Sequence, residues 1–239
     1  MHVIPILSTV VTFGFTVAVL NRYFRKGGIH LLLWGVGLIL YGLGTLTEVI
    51  LGLAFNSLAI KLWYLCGAML TAAWLGQGTF NLLVRRRGVA MTMNILLGVV
   101  SLAAITLLLF APLTSAAASF DIAKPVSTQY KDILTRNGGV IFLTIILNIY
   151  GTICLVGGAL YSAYLFWRKR VLLNRVIGNI LIAAGALMPA MAGSLVKAGL
   201  VDALYLSELL GVIIMFLGFW QATTPQTVSR TETATASVR

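Results

Sequence analysis

LLLWGVGLILYGLGTLTEVILG, residues 31–52, is the stretch that decides the fold. It holds one charged residue, Glu48, and no Lys or Arg. Wound as an α-helix at 1.5 Å per residue it is about 33 Å long, enough to cross a hydrocarbon core of roughly 30 Å. Its apolar residues run continuously instead of alternating, which disfavours a β-barrel strand. Six more stretches have the same character, so the spans are expected at about Val3–Leu20, Leu31–Gly52, Leu58–Val84, Val89–Phe110, Val140–Trp167, Val176–Val196 and Ala203–Ala222. The whole chain agrees: of 239 residues, 59% are hydrophobic and 10% are charged. Its mean hydropathy is +0.99. A soluble domain carries about 25% charged residues. A chain with so little polar surface cannot cover itself in water and needs lipid as its solvent. A cytosolic enzyme, a nucleic-acid-binding domain and a secreted disulfide scaffold are thereby excluded. The fold class expected is all-α, an integral membrane bundle of seven transmembrane helices over residues 1–222.

The net charge of +11 would suggest nucleic acid in a soluble protein. Here the basic residues sit in clusters between apolar runs. The first connection holds Arg22, Arg25 and Lys26, the third Arg85, Arg86 and Arg87, and the fifth Arg168, Lys169, Arg170 and Arg175. These are 10 of the 17 basic residues. Positive charge is retained on the cytoplasmic side, so the odd connections are expected there, with the N-terminus outside and the C-terminus inside. The membrane implied is the bacterial inner (plasma) membrane, and the pattern argues against a nucleic-acid partner. Tyr161, Tyr164, Trp167 and Trp220 border the cytoplasmic side, while Trp63, Tyr64 and Tyr205 border the outer side. Residues 1–19 contain no Lys or Arg, the reverse of a cleavable signal peptide, so the first span is expected to stay in the mature protein.

One connection is long, from about Ala111 to Gly139. It contains Pro112, Pro125 and mixed charges. A cap over the bundle, a segment lying on the membrane and a loosely ordered linker all fit it. Residues 223–239 are rich in Thr and Ser without an apolar face and are expected to be a disordered cytoplasmic tail. With no catalytic domain after the seventh span, any signal would pass to another polypeptide.

Close helix packing is expected where small residues recur every four positions: Ala68, Ala72 and Gly76 in the third span, and Gly185, Pro189 and Gly193 in the sixth. Such stripes serve packing within the chain or a homo-oligomer face. Pro189 should kink its helix. Cys66 lies about 12 Å and Cys154 about 21 Å from the outer ends of their helices, too far apart in depth for a disulfide. His2 and His30 flank opposite faces of the membrane, and no His, Cys or acidic cluster has ligand spacing. No metal, no cofactor and no catalytic residue is therefore expected. Membrane lipids and other membrane or cytoplasmic subunits are the partners that fit.

Seven helices with the N-terminus outside resemble the rhodopsins in number and orientation. Rhodopsins hold retinal on a Lys in the middle of the last helix, and the seventh span here has none. The stretches Leu33-Trp34-Gly35 through Tyr41-Gly42-Leu43-Gly44-Thr45-Leu46-Thr47-Glu48, and Leu62-Trp63-Tyr64-Leu65 through Trp74-Leu75-Gly76-Gln77-Gly78, resemble bacterial seven-helix membrane proteins of unknown function. They also resemble the seven-helix sensor regions that precede some histidine kinases, with an aromatic pair entering the third helix and a basic cluster, Arg85–Arg87, after it. The resemblance covers the second and third spans and implies a seven-helix fold. No kinase follows in this chain.

Ionisable groups inside spans are costly and usually face the bundle interior or a wet cavity. Glu48 and Glu208 are expected about 6 Å below the outer boundary, with Lys61 and Lys197 just above them. An outer vestibule shared by four spans would bring these together as ligand-binding or ion-pair residues. Snorkelling lysines and acids at the water interface are the plainer reading. Gln77 and Asn148 lie deeper and suit either interhelical hydrogen bonds or a ligand. A non-enzymatic sensing or small-ligand-binding module that signals through a partner is the expected function. An accessory subunit of a membrane complex and a transporter or lipid-handling protein are the other two.

Overall fold

The computed structural model describes residues 3–84, 86–169, 173–197 and 203–224, without the side chains of 192–197 and 203. It is all-helical among these residues. α1 is Val3–Lys26, α2 Ile29–Leu53, α3 Ser57–Leu83 and α4 Arg87–Leu109. A short α5, Val126–Ile133, lies in the long connection. α6 is Gly138–Arg168, α7 Leu173–Lys197 and α8 Ala203–Thr223. Seven of these helices, all but α5, are long and apolar enough to cross a membrane, so the chain is built as a multi-pass membrane protein. The disordered tail expected over residues 223–239 lies, beyond Thr224, outside the described residues.

The local signals for these helices are short and chemical. Gly27 and Gly28 take φ of 68° and 105°, a left-handed pair that reverses the chain between α1 and α2 in two residues. Asn56 caps α3 by accepting from the amides of Leu58 and Ala59, each at 2.9 Å. Asn137 caps α6 through the amide of Val140 at 2.8 Å. Most of the hydroxyls that α1 buries are paired: Thr12 and Thr16 donate back to the carbonyls of Ser8 and Thr12. Thr9 reaches both Pro5 O and Thr45 of α2.

α3 is the most buried span and α4 among the least. α3 packs on α2, α4 and α6; α1 packs on α2 and α8; α7 packs on α8 and on the C-terminal half of α6. The small residues explain how closely they approach. A Cβ on Gly151 of α6 would come within 2.3 Å of the Ala72 carbonyl carbon in α3. One on Gly211 of α8 would come within 2.7 Å of Gly185 O in α7 and 3.0 Å of Pro189 Cδ. The stripes at Ala68–Gly76 and Gly185–Pro189 thus serve packing within the chain. α7 continues through Pro189 as far as Lys197.

The long connection forms a cap. Leu113 and Leu134 make an antiparallel bridge, and Thr114 N donates to Ile133 O at 2.9 Å, closing the loop at its base. Val126, Ile133 and Leu134 are buried with the ends of α2, α3, α4 and α6. Trp63 and Tyr64, expected at a lipid border, turn inward under this cap instead. Both are buried, with the ring of Tyr130 of α5 packed against them in tilted contacts at ring distances of 5.2 and 5.6 Å. Arg136 lies over Tyr130 at 5.0 Å. Tyr161, Tyr164, Trp167 and Trp220 at the opposite, basic end are exposed.

Candidate functional site

Glu48 sits five residues before the end of α2, and Glu208 five residues after the start of α8. α2 runs toward the capped end and α8 away from it, so equal offsets place the two residues at one level, about 7 Å inside the helix ends. The two carboxyl groups are near enough to interact electrostatically, and both line one cavity. Tyr41, two turns before Glu48, ties the same two helices by donating its hydroxyl to Glu208 O at 2.9 Å.

Trp63 completes the arrangement. Residues Trp63–Leu70 of α3 are wound as a π-helix, whose wide turns shift the register of the side chains. In that register Trp63 Nε1 donates to Glu48 Oε1 at 2.8 Å. A second π segment, Ile153–Gly157, interrupts α6 on the facing wall. Such segments occur frequently at functional sites. Between the two lies a cavity of about 540 Å³. On α8 its lining runs from Leu204 to Met215, about 16 Å at the helical rise. Ser127, Tyr130 and Lys131 of the cap line one end, and Leu75, Leu155 and Val156 line the deep end. Burial holds the Tyr130 phenol above its usual pKa, against the opposing pull of Arg136, so this wall stays a neutral hydroxyl.

The polar balance of the cavity is incomplete. Glu48 is 4% exposed, yet its Oε2 has no hydrogen-bond partner, and neither has the buried Oε2 of Glu208. Ser127 Oγ is buried without a partner as well.

The other residues singled out from the sequence divide. Asn148 lines the cavity and donates to Ala68 O at 2.7 Å and Thr144 O at 2.8 Å, so it anchors α6 to the wide turns of α3. Gln77 lies outside the cavity in a second polar cluster. Its Nε2 donates to Asn94 Oδ1 at 2.6 Å and its Oε1 accepts from Tyr150. Asn81 joins them through Asn94 Oδ1 at 2.7 Å. Lys61 departs from the expected network: its ammonium donates to Leu109 O at 2.7 Å, at the exposed C-terminal end of α4. A lysine there offsets the negative end of the helix dipole and leaves the acids to others. The side chain of Lys197 lies outside the described residues.

Sequence reasoning missed the roles of Trp63, Tyr41 and Tyr130. Trp63 was visible, but as a border residue. Its rotation about α3, which hydropathy does not encode, aims it at Glu48. No protein-family model matches the chain, and no curated protein or solved structure matches it either.

Proposed function

We propose that this protein is a membrane-embedded binding module for a small amphipathic ligand. The observation that carries this reading is the cavity of about 540 Å³ with two buried carboxyl oxygens left without partners. Ligand sites are concave, mostly apolar and supplied with a few convergent polar groups, in volumes of about 300–1,000 Å³. A polar group stranded in a membrane interior costs free energy, and a chain that keeps one gains something by it. Five spans and the cap helix α5 meet at this cavity, so a ligand there bears on their relative positions. A partner protein reads that change at the basic end of the bundle. By the charge distribution of the connections the basic end is cytoplasmic, and a bacterial inner membrane is what the resemblance of the second and third spans implies.

The test begins with the intact protein extracted in native nanodiscs. Native mass spectrometry should show a bound small molecule, and Ala186→Phe, which fills the cavity wall, should lose it while keeping the fold. Wild-type protein without any bound mass, or a mass that survives Ala186→Phe, would count against the proposal. Reporters after Arg239 and near Ser127 test the orientation: cytoplasmic activity is expected at the first and external activity at the second. A partner recovered at fixed stoichiometry from an empty bundle would favour an accessory subunit.

A further inference from the structure

Resting on the reading of the cavity as a ligand site, we infer the class of its ligand: a protonated amine with an apolar body, its ammonium seated between Glu48 and Glu208. An ionised carboxyl group accepts hydrogen bonds on both oxygens and donates none. Glu48 receives one donor, Trp63 Nε1, on Oε1. Its Oε2 and that of Glu208 are buried and receive none. Two ionised carboxyl groups buried at one level of one cavity repel unless a proton or a cation stands between them. Among the described residues that line the cavity, the basic side chain is Lys131, and it is exposed on the cap. An ammonium group supplies both missing things at once, N–H donors and a positive charge, through charge-assisted hydrogen bonds.

The surroundings specify an organic cation. A bare divalent ion takes six or more oxygens at about 2.0–2.6 Å, and no group of three or more His, Cys, Asp or Glu side chains that could hold a metal occurs among the described residues. The volume of about 540 Å³ is also far more than an ion fills. Trp63 and Tyr130 contribute rings to the lining at the level of the acids and above, and Tyr41 one below them, surfaces that favour a neighbouring cation. The floor beyond them, Leu75, Leu155 and Met215, is apolar and accepts a hydrocarbon body. The cavity is thus graded along its length, charged where the ammonium sits and oily below.

The experiment uses the full chain in nanodiscs with n-butylamine, phenethylamine and n-octylamine, each beside the alcohol and the carboxylic acid of the same skeleton. Binding is read by thermal shift and by tryptophan fluorescence. At least one amine should bind saturably and its alcohol and acid should bind about tenfold more weakly or worse. Glu48→Gln and Glu208→Gln keep the shape of the side chains and remove the charges, and each should weaken the amine about tenfold or more. Helical circular dichroism checks that both variants fold. Lys197→Gln should leave the affinity within about threefold. If an alcohol or acid binds as well as its amine, the cavity is a ligand site and the cation assignment is overturned. If no compound binds, both readings fall. If sodium chloride alone reproduces the shift, the pair serves an inorganic cation and the inference is wrong. It is equally overturned if Lys197→Gln destabilises the protein as much as Glu48→Gln and the double variant is no worse than either. The carboxyls would then be neutralised from within.

Discussion

Two polar clusters lie in the interior of this bundle, and they are opposites. One joins α3, α4 and α6 through Gln77, Asn81, Asn94 and Tyr150. In it every side-chain amide group and the phenol has a partner within the cluster or on the main chain. The other joins α2, α3 and α8 through Glu48, Trp63 and Glu208, and it leaves two carboxyl oxygens with none. The first contains only neutral groups and does not line the cavity. The second concentrates the acidic groups of the described spans and opens onto one. A satisfied neutral cluster holds helices together, whereas an unsatisfied charged one is a place waiting for something from outside.

The two clusters share a joint, and breaking it should have the largest effect. Gly151 sits between Asn148, on the cavity wall, and Thr152, with Tyr150 of the neutral cluster just before it. Its backbone is pressed against Ala72 and Ala73, where a Cβ would come within 2.3–2.6 Å of main-chain atoms. Backbone cannot step aside as a side chain can. Gly151→Val should cost about 3 kcal/mol, and possession of a normal unfolding temperature in detergent would show that α3 and α6 are not in close contact.

The next largest effect should come from the neutral cluster itself. Gln77→Leu removes the partner of Tyr150 and one of the partners of Asn94, leaving polar groups stranded among apolar neighbours. A loss of about 2 kcal/mol is expected, because several bonds of roughly 0.6 kcal/mol each go together with the cost of unpaired groups. Thermal unfolding of Gln77→Leu against Gln77→Glu sharpens this. Both should destabilise, since a carboxylate lacks the amide donor that Asn94 accepts. Trp63→Phe should cost less, about 1 kcal/mol, by taking away the one donor that Glu48 has. An equal loss in Trp63→Phe and Gln77→Leu would erase the distinction between the clusters.

Much of the fold is legible in the sequence because lipid imposes it. A run such as 31–52 has to be a helix in hydrocarbon, and the spacing of Ala72 and Gly76 allows close approach whatever helix stands opposite. The acids at positions 48 and 208 could be set at one depth by counting rise from the helix ends. What counting could not supply was azimuth. Hydropathy gives no rotation for a helix that is apolar all round, and the π segments at Trp63–Leu70 and Ile153–Gly157 change the rotation within α3 and α6. Without a rotation, Trp63 reads as a border residue although it donates to Glu48, and Lys61 reads as a partner of the acids although it points to the end of α4. The cap was ambiguous for a different reason. Val126, Ile133 and Leu134 are too few to signal burial by period, and they become a core only against four helix ends.

The smallest expected effect has the opposite sign and divides the two clusters most sharply. Glu48→Gln keeps an acceptor for Trp63 Nε1 and replaces the lone Oε2 with an amide, which can donate to the carboxyl of Glu208. One buried charge is removed and one missing donor is supplied. Stability of the ligand-free protein should therefore rise, by about 0.5–1 kcal/mol. The same kind of exchange in the neutral cluster, Gln77→Glu, should lower it. Residues kept for binding commonly sit at such local optima of function and not of stability. Thermal unfolding of the two variants side by side, in one detergent and at one pH, gives the comparison directly. If Glu48→Gln is as destabilising as Gln77→Glu, Glu48 already has its partner inside the protein, and the two clusters are alike after all.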